Sequence, residues 1–202
     1  MPEIILMAPL IPFLISFLKN GWLNLKNSHK TILTAQSIII LDKMPKKIKV
    51  GIFSFTCDEG CSMTFLEILN KKFFEWKECL EFKHFRLLQS KSEIKGLDIA
   101  FVEGAVSTFE EVEKIKLIRE NAKKLVLMGS CAINGCPSNL RNFFDEERAR
   151  EIKPIVEKFG HREKVSAVSE LVRADDSIPG CPMQEEKFIE VMEKYLKEFG
   201  VK

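Results

Sequence analysis

Four cysteines that lie in short turns with glycine or proline stand where separate segments of this chain should meet. Each turn follows an apolar run or precedes an amphipathic one, so each is predicted at a strand end or a helix start. Thiolates that converge from separate loops are the ligands that iron–sulfur clusters use. The placement therefore predicts an iron–sulfur cluster. The four residues are Cys57 and Cys61 in TCDEGC, Cys131 in GSCA, and Cys181 in PGCP.

Three other interpretations of these cysteines stay open. Free thiols often serve as small apolar core residues, although these four fall in turns rather than within strands. Structural zinc sites usually draw on C-x2-C pairs, whereas the close pairs here are Cys57 with Cys61 and Cys131 with Cys136. A redox disulfide between neighbouring turns is the third interpretation. Iron–sulfur binding is preferred because all four thiols lie in turns.

Composition and charge are those of an ordinary globular protein. The chain has 202 residues, of which 46% are apolar and 30% charged, enough for one domain with a full core. A net charge of +2 gives no reason to expect a nucleic-acid partner. Six cysteines without a clean secretory signal favour a reducing compartment, so the cytoplasm is predicted.

The first 47 residues differ from the rest, with six lysines against two acidic residues. The apolar run from Ile4 to Leu18 has 15 residues and two prolines, which is short of the ~20 residues that a spanning helix needs. We interpret residues 1–47 as a non-native or weakly ordered N-terminal extension and residues 48–202 as the domain. Residues 1–43 either derive from an upstream start codon or form a membrane-associated hairpin or anchor.

Strand and helix patterns alternate after residue 47. β-branched and apolar runs predict strands at 48–55, 82–88, 97–102 and 124–128. Helical spacing predicts helices from Ser62, as N-cap, to about Cys79, from Ser107-Thr108 to Asn121, and from Met183 to Phe199. The alternation predicts an α/β fold with a flavodoxin-like, doubly wound, mostly parallel sheet and irregular cysteine-bearing loops. Such sheets bind ligands beyond the carboxyl ends of their strands.

The three cysteine turns, together with the segment VEGAV at 102–106, resemble the cluster-binding domain of nickel–iron hydrogenase small subunits. Sulfhydrogenase delta subunits, F420-non-reducing hydrogenases and the 20 kDa subunit of NADH:quinone oxidoreductase share this domain. The resemblance covers about residues 48–199. It implies a flavodoxin-like electron-transfer subunit of an oxidoreductase complex, with one proximal [4Fe–4S] cluster and no complete active site of its own.

The resemblance also implies particular site residues. The implied metal ligands are Cys57, Cys61, Cys131 and Cys181. The implied cofactor-binding residues are Gly60, Glu103, Gly104, Gly129 and Gly180, where glycine lets the backbone approach a bulky cofactor. The family's first pair is C-x2-C, whereas Asp58 stands three residues before Cys61. Cys57, Asp58 or Cys136 could therefore complete the ligand set.

Partners follow from the same resemblance. They are a hydrogenase-like large subunit with the catalytic centre, and further iron–sulfur or flavin electron-transfer subunits. Any association with a membrane would come through that complex. The alternative function is a flavodoxin-like scaffold that binds zinc or no metal and mediates assembly. The substrate of the large subunit does not follow from the sequence.

Overall fold

A parallel β-sheet forms the centre of residues 47–89 and 93–201, the part of the chain that the structure, a computed structural model, describes. The strands of this part are β1 (Ile48–Ser54), β2 (Leu80–Phe85), β3 (Leu97–Glu103), β4 (Val106–Thr108), β5 (Ala122–Met128), β6 (His161–Ser166) and β7 (Asp176–Ile178). Its α-helices are α1 (Gly60–Lys71), α2 (Phe73–Trp76), α3 (Phe109–Asn121), α4 (Gly129–Asn134), α5 (Glu146–Lys158) and α6 (Glu185–Glu198). The extension predicted at residues 1–47 lies, except for Lys47, outside the described residues, so its boundary stays a prediction.

The order of the strands confirms the predicted fold class. Five strands form one parallel sheet in the order β2-β1-β3-β5-β7, and β4 pairs with β6 in a separate antiparallel ribbon. Counted along the chain, the sheet strands stand in the spatial order 2-1-3-4-5, which is the flavodoxin-like arrangement. The carboxyl ends of β1, β3, β5 and β7 therefore meet at one edge.

Helices cover both faces of the sheet. On one face α1 and α6 pack through a cluster centred on Phe188, whose ring lies 5.1 Å from that of Phe65 and 5.0 Å from that of Phe101. On the other face α3 packs through Ile115 and Ile118. Because helices cover both faces of the sheet, nearly every residue of β3 is buried, as is usual for a parallel strand between two helical layers. Within the described ranges, no helix is both long enough and apolar enough to cross a membrane.

Helix starts differ from the prediction at one important place. Thr108 caps α3 with a full capping box to Glu111, at the predicted start. Ser62 was expected to cap α1, but the prediction is wrong: α1 starts at Gly60 after Glu59, whose φ is 60°. Ser62 is instead the third residue of α1, where its N–H and its hydroxyl both donate to Glu103.

His84 on β2 is a buried base. Its side chain is 5% exposed and stacks on Phe53 with 4.2 Å between ring centroids. Among the described residues, neither of its ring nitrogens has a hydrogen-bond partner. Burial, together with the positive charges of Lys114 and Arg86, lowers the pKa of His84 to about 4. The ring is therefore neutral at physiological pH.

We expect His84 to make the fold sensitive to acid. The unfolded chain takes up a proton below about pH 6.5, whereas the folded chain resists protonation down to about pH 4. Stability therefore falls as the pH drops through this window, and the loss levels off below it. In urea denaturation, the free energy of unfolding of His84→Phe should fall by about 2–3 kcal/mol less than wild type between pH 7.5 and 4.5. Equal pH dependence in both proteins would contradict the assignment.

Candidate functional site

A narrow cavity lies at the edge where the carboxyl ends of the strands meet. It receives all four cysteines singled out above, from the turn after β1, the start of α4 and the turn after β7. Its volume of about 10 Å³ is room for roughly one water molecule. The lining residues are Cys57, Asp58, Cys61, Glu103, Gly104, Met128, Gly129, Ser130, Cys131, Gly180, Cys181 and Pro182.

The turn after β1 is tied to the end of β3. Thr56 and Ala105 exchange two backbone hydrogen bonds of 2.9 Å each, which hold the start of this turn. Within it, the sulfur of Cys57 accepts the N–H of Glu59 at 3.4 Å. Cys61 is the second residue of α1 and is only 8% exposed. The first two thiols are thus placed by a braced turn and the first turn of a helix.

The other two thiols belong to segments that are bonded to each other. Cys131 is the third residue of the short helix α4. The preceding residue, Ser130, donates its N–H at 2.8 Å and its hydroxyl at 3.1 Å to the carbonyl of Gly180. These bonds bring the turn with the exposed thiol of Cys181 beside the start of α4. Cys131 also accepts a hydrogen bond from the hydroxyl of Ser138 at 3.3 Å.

Gly129 is required by the close approach of Cys61. Its φ is 78°, and a Cβ at this position would lie 2.5 Å from the sulfur of Cys61. At Gly180, φ is 118° and a Cβ would lie 2.5 Å from the carbonyl oxygen of Pro182. A side chain at either position would displace a segment that carries a site thiol.

Glu103 is a buried carboxylate at the inner wall of the cavity. It is 1% exposed and stands at the end of β3. It accepts the hydroxyl of Ser54 at 2.7 Å and the N–H of Ser62 at 3.1 Å, together with the hydroxyl of Ser62. Its negative charge is therefore held by hydrogen-bond donors of β1 and of the first turn of α1. Glu103 thus holds in place the first turn of α1, which contains Cys61.

The two thiols of the first turn are weak acids in this structure. Burial, with a smaller effect of the charge of Glu103, raises the pKa of the Cys57 thiol to about 12 against the opposing effect of the Glu59 N–H. Burial also raises the pKa of the Cys61 thiol to about 11, against the N–H of Met183. Both thiols keep their protons at neutral pH. A metal that binds them must release these protons.

Not every implied site residue reaches the cavity. Gly60 does not line it and instead begins α1. Asp58 does line it, while its carboxylate accepts the N–H of Gly60 at 3.0 Å. Cys136 is exposed and outside the cavity wall. Across residues 47–89 and 93–201, no three His, Cys, Asp or Glu side chains form a group that could hold a single metal ion.

The sequence patterns do not predict the contacts that three serines make at the site. Ser62 and Ser130 bond Glu103 and Gly180, and Ser138 bonds a site thiol. The position of Ser130 beside Cys131 was the available signal for its role. Ser138 comes seven residues after Cys131, but α4 ends at Asn134 between them, so the two residues do not share one regular element.

A protein family and several hydrogenase subunits resemble this chain in sequence. Residues 57–195 match the family described as NADH ubiquinone oxidoreductase, 20 Kd subunit. The chain is 29% identical to sulfhydrogenase 2 subunit delta of Pyrococcus furiosus over 148 residues, which are 72% of this chain and 60% of that protein. It is 26% identical over 182 residues to subunit delta of the NAD-reducing hydrogenase HoxS of Cupriavidus necator, covering 82% of this chain and 87% of the other.

Other relatives are matched over a smaller part of their length. One subunit of the F420-non-reducing hydrogenase of Methanothermobacter marburgensis is 28% identical over 170 residues, covering 76% of this chain and 55% of that protein. The chain therefore spans a little over half the length of this relative and of the Pyrococcus protein.

A solved structure shows the same fold. A chain of an NAD+-reducing [NiFe]-hydrogenase in the H2-reduced state superimposes with a TM-score of 0.63 and 29% sequence identity. The match covers 76% of this chain and 93% of that one. A recombinant [NiFeSe] hydrogenase from Desulfovibrio vulgaris Hildenborough gives a TM-score of 0.53 at 17% identity, over 77% of this chain and 62% of the other. This second likeness bears on the fold alone.

Proposed function

The chain belongs to the NADH ubiquinone oxidoreductase 20 kDa subunit family, and on this premise we propose that it is the electron-transfer small subunit of a hydrogenase-like oxidoreductase. It holds one [4Fe–4S] cluster and passes electrons to or from a catalytic large subunit. Further iron–sulfur or flavin subunits complete the path. The protein works in the cytoplasm, where its six free cysteines are kept reduced.

One observation carries this proposal: four thiols from three separate segments line the same cavity. The donor set consists of sulfur, as in iron–sulfur sites, and the segments are joined by hydrogen bonds rather than by one local loop. Cys57, Cys61, Cys131 and Cys181 are the ligands in this proposal. Glu103, Gly104, Gly129 and Gly180 form the wall around them.

Two backbone N–H groups and one helix end favour negatively charged sulfur and oppose the effect of burial on the thiols. The N–H of Glu59 lies 3.4 Å from the sulfur of Cys57, and the N–H of Met183 bonds the sulfur of Cys61. Cys61 also lies in the first turn of α1, whose positive dipole end favours anionic ligands. When bound, a [4Fe–4S] cluster supplies one-electron transfer at a potential that such contacts adjust.

The relatives support a role inside a complex. The proteins matched in Pyrococcus furiosus and Cupriavidus necator are each named as the delta subunit of a hydrogenase. The latter is covered over 87% of its length, so the likeness to it extends over most of that subunit. In this proposal the present chain has no complete active site and acts only together with its large subunit.

Metal content tests the proposal directly. Protein purified without oxygen should be brown, absorb near ~400 nm, and contain about four irons and about four labile sulfides per chain. Reduction with dithionite should bleach this absorbance and produce an electron paramagnetic resonance signal. A colourless protein with one zinc per chain would instead identify the zinc-binding scaffold. A protein without metal that still binds partner subunits would identify a metal-free scaffold.

A further inference from the structure

A side-chain hydroxyl contacts one of the four site thiols. Ser138 donates a hydrogen bond of 3.3 Å to the sulfur of Cys131 in a part-buried position. The other contacts to site thiols described above come from backbone N–H groups, at Cys57 and Cys61. A backbone donor survives most substitutions, whereas the Ser138 hydroxyl is removed by a change of one atom. A substitution at Ser138 can therefore remove this hydrogen bond to Cys131 while the backbone contacts to the other thiols remain.

The loop that carries Ser138 is held on both sides. After α4, the N–H of Gly135 bonds the carbonyl of Cys131 at 3.0 Å, and the N–H of Asn139 bonds the carbonyl of Gly135 at 2.8 Å. The side chain of Asn139 bonds the carbonyl of Asn134 at 3.3 Å, and the N–H of Cys136 bonds the side-chain oxygen of Asn134 at 3.1 Å. Ser138 thus stands on a bonded loop whose geometry presents its hydroxyl to Cys131.

Such a contact acts differently on the two oxidation states of a bound cluster. One-electron reduction adds negative charge that is shared by the ligand sulfurs, and hydrogen bonds to charged acceptors are stronger than those to neutral ones. A donor to sulfur therefore stabilises the reduced form more than the oxidised form. We propose that Ser138, through its hydrogen bond to Cys131, raises the reduction potential of the cluster. This inference rests on the proposed function, because it requires a cluster at Cys131.

Ser138→Ala tests the inference through the potential itself. At the midpoint potential of the wild type, we expect the ratio of reduced to oxidised cluster to fall about tenfold, which is a downward shift of about 59 mV for a one-electron couple. The measurement is a redox titration of the anaerobically purified full chain with dithionite, followed by electron paramagnetic resonance. A purely structural role would change cluster content rather than this midpoint.

Two further variants serve as controls. Ser138→Thr keeps a hydroxyl and should restore the wild-type midpoint. Ser169→Ala removes a hydroxyl that bonds the carbonyl of Ile133 in α4 at 2.6 Å without touching a thiol. Its midpoint should equal that of the wild type. An unchanged midpoint in Ser138→Ala, or an equal shift in Ser169→Ala, overturns the inference.

A separate measurement decides the question if Ser138→Ala retains no cluster. Resonance Raman spectra of the wild type are compared directly after transfer to D2O, when hydroxyl protons have exchanged but protected amides have not. A prompt shift of an iron–sulfur stretching band supports the Ser138 contact, and unshifted bands overturn it. Wild-type protein without iron would defeat the proposed function itself, whereas a cluster with an unchanged Ser138→Ala midpoint would defeat only this inference.

Discussion

Cys61→Ser is expected to leave the anaerobically purified protein almost without iron. Cys61 is the most deeply buried of the site thiols, and it lies near enough to Cys131 and Cys181 for their charges to affect its pKa. Serine oxygen is a poor replacement for thiolate at an iron–sulfur cluster. The loss of iron affinity should exceed the ~10–100-fold that loss of an outer-shell partner costs. Iron and labile sulfide analysis, with absorbance near ~400 nm, measures it.

Cys136→Ser is the matched control for this experiment. Cys136 lies five residues after Cys131 but is exposed and does not line the cavity. Its substitution should leave the iron content unchanged. Equal iron in Cys61→Ser and wild type, or equal loss in Cys136→Ser, would show that the cavity is not the metal site. The pair Cys57→Ser and Asp58→Ala then decides which residue supplies the first ligand.

Glu103→Ala is expected to have the largest effect on the stability of the fold. The substitution removes the acceptor for the Ser54 hydroxyl and for two donors of Ser62. Because an unsatisfied buried donor costs roughly 1–3 kcal/mol, the free energy of unfolding should fall by about 3 kcal/mol or more. Urea denaturation of the metal-free protein, monitored by circular dichroism, measures this loss.

The control for Glu103 is a carboxylate on the protein surface. Glu113 pairs with Lys116 on α3 at 3.0 Å, with its own side chain 75% exposed. Such a surface pair is worth about 0–1 kcal/mol, so Glu113→Ala should change the stability little. In a double-mutant cycle, Glu103→Ala and Ser62→Ala should not be additive, because both remove the hydrogen bond between the Ser62 hydroxyl and Glu103. Additive losses, or equal losses in Glu103→Ala and Glu113→Ala, would contradict this account of the carboxylate.

The sheet and the meeting of the cysteine turns were predictable because their signals are local. β1 and β3 consist mostly of β-branched and apolar residues, which is typical of parallel strands between two helical layers. Parallel strands also place their carboxyl ends at one edge, so the turns with Cys57 and Cys131, which follow β1 and β5, converge. The position of Cys181 depends on β7, which is too short to be predicted. The site therefore followed from strand direction more than from any single motif.

The remaining features depend on contacts between residues distant in sequence. Ser62 has a good capping side chain, but its partner is Glu103, 41 residues away. β4 and β7 have three residues each, too few to show a periodic pattern. Ser138 meets Cys131 only after its loop folds back on α4. No local propensity encodes these placements.

The separation of the four thiols along the chain has a consequence for how the protein unfolds. A cluster bound to Cys61, Cys131 and Cys181 would link the chain across two successive loops of about 70 and about 50 residues. Such links restrict the unfolded chain and so reduce the entropy gained on unfolding, as disulfides do in secreted proteins. The cluster would then also cross-link the segments that follow β1 and β5 and the segment before α6. Removal of iron would loosen the C-terminal helix together with the electron path.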